Sequence, residues 1–322
     1  MSTEPSQPQY VIRVHKALAD PRALDFFVKT VCESYQEFYG AYRQESEAII
    51  RAAVGLLLDS QSRGPSAARL AETLEVIQRD LTRKDDRTFW FNVVYQHYKI
   101  TVRPQRDSGR IRGFIRGGAV LDLGCGGGYL ALELAKLGHA VTMTDLLDYR
   151  VDAARALPFV QMPNPHTLPF AADSYDTIIA KTVLHHVDKE HLPLLLGELS
   201  RVAQRVIVLE DTYDVHEEEV ENYDAACVSQ PNLREYMTLT PNEQRHVLVL
   251  LDYLGNAVAR GIPTMNFPFE FKPPRTWKAM FEAYGFQLGK CIVDGYEAGK
   301  MHKCCQVWMI FDRRQPISTR RT

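Results

Sequence analysis

Two hydrophobic periodicities divide the chain. From Tyr10 to about Ile100 apolar residues recur every three to four positions, with almost no alternating run, which predicts helices. Asp20-Pro21 reads as an N-cap followed by proline at the first helical position. It opens a segment to Tyr42 with Leu24, Phe27, Val28, Val31 and Tyr35 on one face. Further helices are expected over 45–58 and over 66–81, the latter with Leu70, Leu74 and Ile77 inward. A fourth is expected over Phe89 to Tyr98, its aromatic rings assigned to packing rather than to a pocket. Residues 101–117 carry Arg103, Arg106, Arg110, Arg112 and Arg116 at irregular spacing and read as a solvated connection, from which one arginine reaches a ligand carboxylate at most.

From Gly118 the pattern changes to short continuous apolar runs alternating with helical stretches. Strands are expected at 119–123, 139–144, 158–162, 175–180 and 205–210, with a helix from Leu192 to Ala203 before the fifth. Strand alternating with helix predicts a parallel, doubly wound sheet, whose ligands bind at the carboxyl ends of the strands. About 60 residues then interrupt the alternation, from Asp211 to Pro274. They read as helices over 217–228 and 241–259 followed by the aromatic loop Met265 to Phe271. An insertion leaving that edge of the sheet serves as a lid over the site, or packs on the N-terminal helices. A helix at 276–284 with Trp277, Met280 and Phe281 on one face, and strands at 286–293 and 304–311, complete the pattern. The expected division is a helical part over 1–112, with 1–9 as a loose tail, and a sheet-bearing part over 113–322 with the helical insertion at about 212–272.

The densest signal is Val120 to Leu130, VLDLGCGGGYL. An apolar strand breaks into Gly124-Cys-Gly-Gly-Gly128 and restarts as a helix through Leu130, Leu134 and Leu137, with Gly138 as its stop. Glycines there allow a sharp turn and close approach of a ligand to main-chain N–H groups at a helix N-terminus. The dinucleotide spacing G-x-G-x-x-G requires a small residue where Tyr129 stands. The pattern met is Asp-x-Gly-x-Gly-x-Gly, by Asp122, Gly124, Gly126 and Gly128. This resembles motif I of the class I S-adenosylmethionine (SAM) methyltransferases. Asp145 after the second strand and the run Leu168-Pro-Phe to Leu184-His-His-Val187 are similar to that family's later motifs, with a core like its small-molecule "methyltransferase type 11" members. The resemblance covers about 118–211, and 274–311 more loosely.

It implies an α/β fold: a Rossmann-like seven-stranded methyltransferase sheet with its last strand antiparallel, here joined to an N-terminal all-helical domain and a helical lid. It implies SAM as cofactor and S-adenosylhomocysteine as product. Gly124, Gly126 and Gly128 would pass under the methionyl part, Asp122 would support the loop or the amino group, Asp145 would accept both ribose hydroxyls, and Leu146 would flank the adenine. Asn164 stands where the family usually has an aspartate for the adenine amino group; its amide oxygen accepts the same bond without charge. Lys181 would line the sulfonium side through its main chain.

Composition narrows the acceptor without naming it. The 322 residues are 45% hydrophobic and 24% charged with a net charge of -2, so no basic face for nucleic acid is expected. No apolar run is long enough for a membrane span, and the polar N-terminus has no secretory signal pattern, so a cytoplasmic location is expected. Six cysteines without paired metal spacing suit a reducing compartment and no structural zinc. His185, His186 and Asp211 are the candidate catalytic residues, since imidazoles titrate near working pH and the end of strand five orients acceptors. Asp211 and Asp214 have no third carboxylate to converge with, so no catalytic metal is expected. The aromatic residues of the N-terminal part and of Phe267, Phe269 and Phe271 suggest a small apolar or aromatic acceptor, methylated on O, N or C, as in natural-product biosynthesis. The alternatives are a protein or RNA acceptor, or a SAM-binding homologue that transfers nothing. A homodimer through the N-terminal helices is the oligomer considered.

Overall fold

The computed structural model describes residues 7–34, 43–83, 88–262, 265–296 and 304–314. Most of the expected N-terminal tail, and the positions of Tyr35 and Tyr42, lie outside these residues. Seven strands form one sheet in the order β3-β2-β1-β4-β5-β7-β6, with β1 Ala119–Leu123, β2 Ala140–Asp145, β3 Phe159–Gln161, β4 Tyr175–Lys181, β5 Ala203–Asp211, β6 Phe286–Asp294 and β7 Gln306–Arg313. β1 to β5 are parallel, and β7 runs antiparallel between β5 and β6. The central strands are apolar on both faces, as a sheet covered on both sides requires. Val120, Leu121, Ile178, Ile179, Val206 and Ile207 are fully buried.

The described part of the chain opens with the helices α1 Gln9–Leu18, α2 Pro21–Ser34, α3 Arg43–Gln61 and α4 Ala67–Leu81. Asp20 accepts from the Ala23 N–H at the start of α2 and Ser66 from the Arg69 N–H at the start of α4. The aromatic run is wound wide, as π-helical turns at 90–95 and 98–102, and flows directly into α5 Arg103–Ile111. The expected solvated connection is therefore helix, and its Asp107 is 1% exposed. After β1, the glycine turn leads into α6 Tyr129–Lys136. Leu130 and Leu134 are buried as expected, but Leu137 falls at the C-cap and is half-exposed. α7 Leu192–Val202 precedes β5.

The insertion holds three helices: α8 Tyr223–Ser229, α9 Pro231–Tyr236 and α10 Pro241–Leu254. The charged Glu217–Glu219 stretch is a single 3-10 turn rather than the start of a helix. A capping box fixes the start of α10: Thr240 accepts from the Glu243 N–H, and Glu243 accepts from the Thr240 N–H. A wide turn at 255–259 extends its far end. α11 Pro274–Ala283 leads into β6.

The insertion and the N-terminal helices share one apolar core with a face of the sheet. Phe26 of α2 meets Tyr236 of α9 and the edge of Tyr296, and Tyr10 stacks on Tyr253 of α10 at 6.0 Å. His246 of α10 hydrogen-bonds Asp20 at 2.7 Å. These helices stand over the carboxyl edge of β4 and β5. No helix among the described residues is long and apolar enough to cross a membrane.

Candidate active site

The glycine turn has the conformation its composition predicts. Gly124, Gly126 and Gly128 all have positive φ, at 67°, 52° and 77°. A side chain on Gly124 would meet Val183 and one on Gly128 would meet Ala154, whereas one on Gly126 would meet nothing within 4 Å. The open side of the turn therefore lies at Gly126. Asp145, at the end of β2, closes the turn: Oδ2 accepts from the Gly126 N–H at 2.9 Å and Oδ1 from the Leu146 N–H at 2.7 Å. Beyond it Leu146, Leu147 and Tyr149 are exposed large apolar residues. Asp122 on β1 is 3% exposed, and its Oδ2 has no hydrogen-bond partner among the described residues. Burial pushes its pKa up to about 7; Lys181 opposes the rise and Asp145 adds to it.

Past the end of β4 the chain turns through Thr182 at φ 49° and enters a short 3-10 turn at Leu184–His186. Glu210 of β5, fully buried, holds this turn. Its Oε1 accepts from the Val183 and Leu184 N–H groups at 3.1 and 2.7 Å, and its Oε2 lies 2.5 Å from His185 Nδ1. His185 Nε2 and His186 Nε2 face the Asp252 carboxylate of α10 at 3.5 and 3.4 Å.

This cluster forms the polar end of a cavity of about 220 Å³ between the sheet edge and the helices. It is larger than the ~150 Å³ hollow that admits a benzene ring. The opposite walls are apolar, from Val31, Ile50, Leu57 and Ile77 to Trp90 and Phe91. Lys99, Arg103, Arg106 and Arg260 also line it. Arg106 pairs with buried Asp107 at 2.8 Å, Arg103 lies 3.7 Å from the same carboxylate, and Lys181 pairs with it at 2.6 Å. Among the described residues Lys99 and Arg260 have no carboxylate in ion-pair range. Burial lowers the Lys99 pKa to about 8, and the neighbouring cations Arg260 and Arg103 add to that. Arg260 lines the cavity from an exposed position. Arg260 is also within electrostatic reach of Asp145 and Tyr129, so it stands between the glycine turn and the cavity.

Residues 120–205 match a family described as a methyltransferase domain. This part of the chain, from β1 into β5, is thus similar to methyltransferase domains. The curated Magnesium protoporphyrin IX methyltransferase, chloroplastic, of Arabidopsis thaliana is 28% identical over 102 residues, covering 30% of this chain and 33% of that protein. The chain thus spans about a third of the length of that curated relative. Among solved structures, the 1,6-didemethyltoxoflavin-N1-methyltransferase of Burkholderia thailandensis aligns with a TM-score of 0.44 at 14% identity, covering 77% of this chain and 89% of that one. The magnesium protoporphyrin IX methyltransferase of Synechocystis aligns with a TM-score of 0.42 at 15% identity, covering 74% and 100%.

Within the matched segment, Asp122, Gly124, Gly126, Gly128, Asp145 and Leu146 come together at the carboxyl edge of β1 and β2, where SAM, the cofactor implied by the resemblance, would sit. The residues present fit that group. The turn has open space at Gly126, Asp145 keeps lone pairs beyond its two N–H bonds, and Asp122 is an orphaned buried carboxylate. Asn164 has turned its amide oxygen to the His166 N–H at 3.1 Å, which leaves one lone pair free. The Lys181 side chain is committed to Asp107. His185, His186 and Asp211, separated in sequence, all line the one cavity.

Three expectations are corrected. The aromatic residues of the 89–98 segment were assigned to packing, yet Trp90, Phe91, Tyr95 and Tyr98 line the cavity. Phe267, Phe269 and Phe271 were assigned to the acceptor pocket, yet they are 4%, 0% and 3% exposed and stand behind the histidines, Phe271 stacked on His185 at 4.9 Å. The arginine-bearing segment is not solvated: Arg103 and Arg106 face the cavity. Asp252, Lys99 and Arg260 were missed. The available signal for Asp252 was a lone carboxylate inside the apolar helical run VLVLLDYL.

Asp122 supplies a pH test. A pKa raised from its unfolded value near 3.8 to about 7 makes the unliganded protein lose stability as pH rises between those values, with no further loss above. A bound cation beside it favours the ionised form. SAM affinity is therefore expected to rise by at most about tenfold from pH 6 to pH 8, with proton release on binding. Calorimetry in buffers of different ionisation heat measures this, and Asp122→Asn should flatten the profile. A flat wild-type profile would remove Asp122 from the cofactor's surroundings.

Proposed function

We propose that the chain transfers the methyl group of SAM to a small organic acceptor with an apolar body and a negatively charged group. The observation that carries this is the cavity: apolar on the helical side, with Lys99 and Arg260 uncompensated among the described residues at its polar side. A half-buried cation without a partner, as at Lys99, is costly, and an anionic ligand offsets that cost; Arg260 faces the same space from an exposed position. Arg260, within reach of both sites, is placed to meet the cofactor's carboxylate, which leaves Lys99 for the acceptor. SAM would lie over Gly126 with its ribose hydroxyls on Asp145 and its adenine against Leu146, Leu147 and Tyr149. Asn164 would offer its free lone pair to the adenine amino group.

Methyl transfer is an in-line displacement: the acceptor atom bonds to the methyl carbon as the carbon–sulfur bond breaks and S-adenosylhomocysteine leaves. The protein's contribution is alignment in a water-poor space. An acceptor hydroxyl must also lose a proton. Asp211 stands at that end, with Oδ1 held by Gln306 at 2.6 Å and its other oxygen without a partner among the described residues. Burial raises its pKa, which makes it a better proton acceptor than a surface aspartate. An acceptor seated in a hollow of about 220 Å³ between the sheet edge and the helices favours a small molecule over a protein or RNA.

Lys99→Met keeps the length of the side chain and removes its charge. With labelled SAM and a small-molecule extract it should cut methyl incorporation about 10- to 100-fold, the scale for a lost charged contact, while SAM affinity stays within about twofold. Equal loss of SAM affinity would move Lys99 to the cofactor; unchanged incorporation would remove the anionic group from the acceptor.

A further inference from the structure

His185, His186 and Asp252 bring two imidazole nitrogens and a carboxylate oxygen within 4.8 Å of one another. Their hydrogen-bonding leaves an unusual arrangement. His186 Nδ1 faces the main-chain oxygen of Asn266 at 3.1 Å. A carbonyl oxygen only accepts, so Nδ1 carries a proton and Nε2 is the nitrogen left to face Asp252. His185 Nδ1 is likewise taken up by Glu210, which leaves its Nε2 on the opposite side. Both Nε2 atoms face one Asp252 carboxylate. His185 Nε2 and Asp252 Oδ2 are buried without any hydrogen-bond partner among the described residues.

Two imidazole nitrogens and a carboxylate oxygen converge in a buried place only with a cation among them, either a proton on an imidazole or a metal ion. The nitrogen–oxygen separations of 3.4 and 3.5 Å are long for an N–H···O bond. They match the ~3.4 Å ligand–ligand edge that follows from bonds of about 2.1 Å at a tetrahedral centre. The supporting contacts are those of a metal site: each imidazole is anchored through its far nitrogen, one to a carboxylate and one to a main-chain carbonyl. The Asn256 amide holds Asp252 Oδ1 at 2.7 Å, and Asn266 is itself fixed by donating to Asp188 at 3.0 Å. Phe271 and Phe267 back the two rings.

We propose that His185, His186 and Asp252 bind one divalent first-row transition-metal ion, with its remaining positions open to the cavity. Two imidazoles and one carboxylate suit zinc, iron(II), cobalt or manganese and are poor for calcium or magnesium, which take oxygen donors. The expectation of a metal-free site counted carboxylates alone and did not include an imidazole pair facing a residue from the insertion. The ion would hold an acceptor oxygen at the polar end of the cavity. Its binding is independent of the methyl-transfer reading and is tested without activity.

The full-length protein, stripped by chelator and dialysis, is titrated with Co2+ alone and followed by absorption and calorimetry. One Co2+ per chain is expected, with the weak visible bands of nitrogen and oxygen donors, displaced by Zn2+. Asp252→Asn and His186→Gln should each weaken binding by about tenfold or more, with the melting temperature of the metal-free protein little changed. Nitrogen NMR provides a readout on the wild type alone, so the test survives a variant that fails to fold: Zn2+ should shift Nε2 of two of the ten histidines. No binding at millimolar Co2+, intense bands from thiolate ligation by the cysteines, or affinity unchanged in both variants would overturn the proposal.

Discussion

Glu210→Ala is expected to destabilise the protein by about 3–5 kcal/mol, the scale for removing one partner of a buried, charged hydrogen-bonded group. The expectation rests on one fully buried carboxylate serving three donors: the Val183 and Leu184 N–H groups and His185 Nδ1. Alanine leaves all three without an acceptor in a space closed to water. For a chain of 322 residues the midpoint of thermal unfolding should fall by roughly 4–7 °C. Glu210→Gln retains an acceptor for the two N–H groups but sets an NH2 group against His185, so it should fall between wild type and alanine. Calorimetric melting checks the series. An alanine variant melting within a degree or two of wild type would mean that the turn after β4 is held by its packing alone.

Asp145→Ala is expected to weaken SAM binding about 5- to 150-fold, corresponding to about 1–3 kcal/mol for leaving polar partners unsatisfied. Two effects add. The ribose hydroxyls lose their acceptor, and the Gly126 N–H loses the carboxylate that closes the glycine turn. A cycle with the 2′-deoxy analogue of S-adenosylhomocysteine separates them. Wild type should bind the deoxy compound more weakly than the parent, and Asp145→Ala should bind the two alike. A variant that still discriminates between them would leave Asp145 with the turn and not with the ribose.

The sheet and the glycine turn were legible because their signals are local. A strand buried on both faces must be a continuous apolar run, and a turn with three positive-φ positions must be glycine-rich, so β1, β4, β5 and Gly124 to Gly128 could be read directly. The cavity was not legible, because which face of a helix lines a hollow depends on its neighbours. Trp90 and Phe91 look like packing residues and are 2% and 6% exposed, yet they line the cavity. Phe267 to Phe271 look like a pocket and instead buttress the histidines. Asp252 stands 66 residues beyond His186 in sequence and meets it only because the insertion folds back over the carboxyl edge of the sheet. Arg103 and Arg106 have irregular spacing in sequence, and the wide turns before α5 rotate them towards the cavity.

The most direct measurement uses methyl-labelled SAM incubated with the protein and an extract of the source cells, split first by size and then, for the small molecules, over an anion exchanger. Methyl transfer to a small anionic acceptor predicts label among the small molecules retained by the exchanger, with release of S-adenosylhomocysteine in equal amount. Label in the protein or RNA fraction, or no label while calorimetry shows SAM bound, would contradict it.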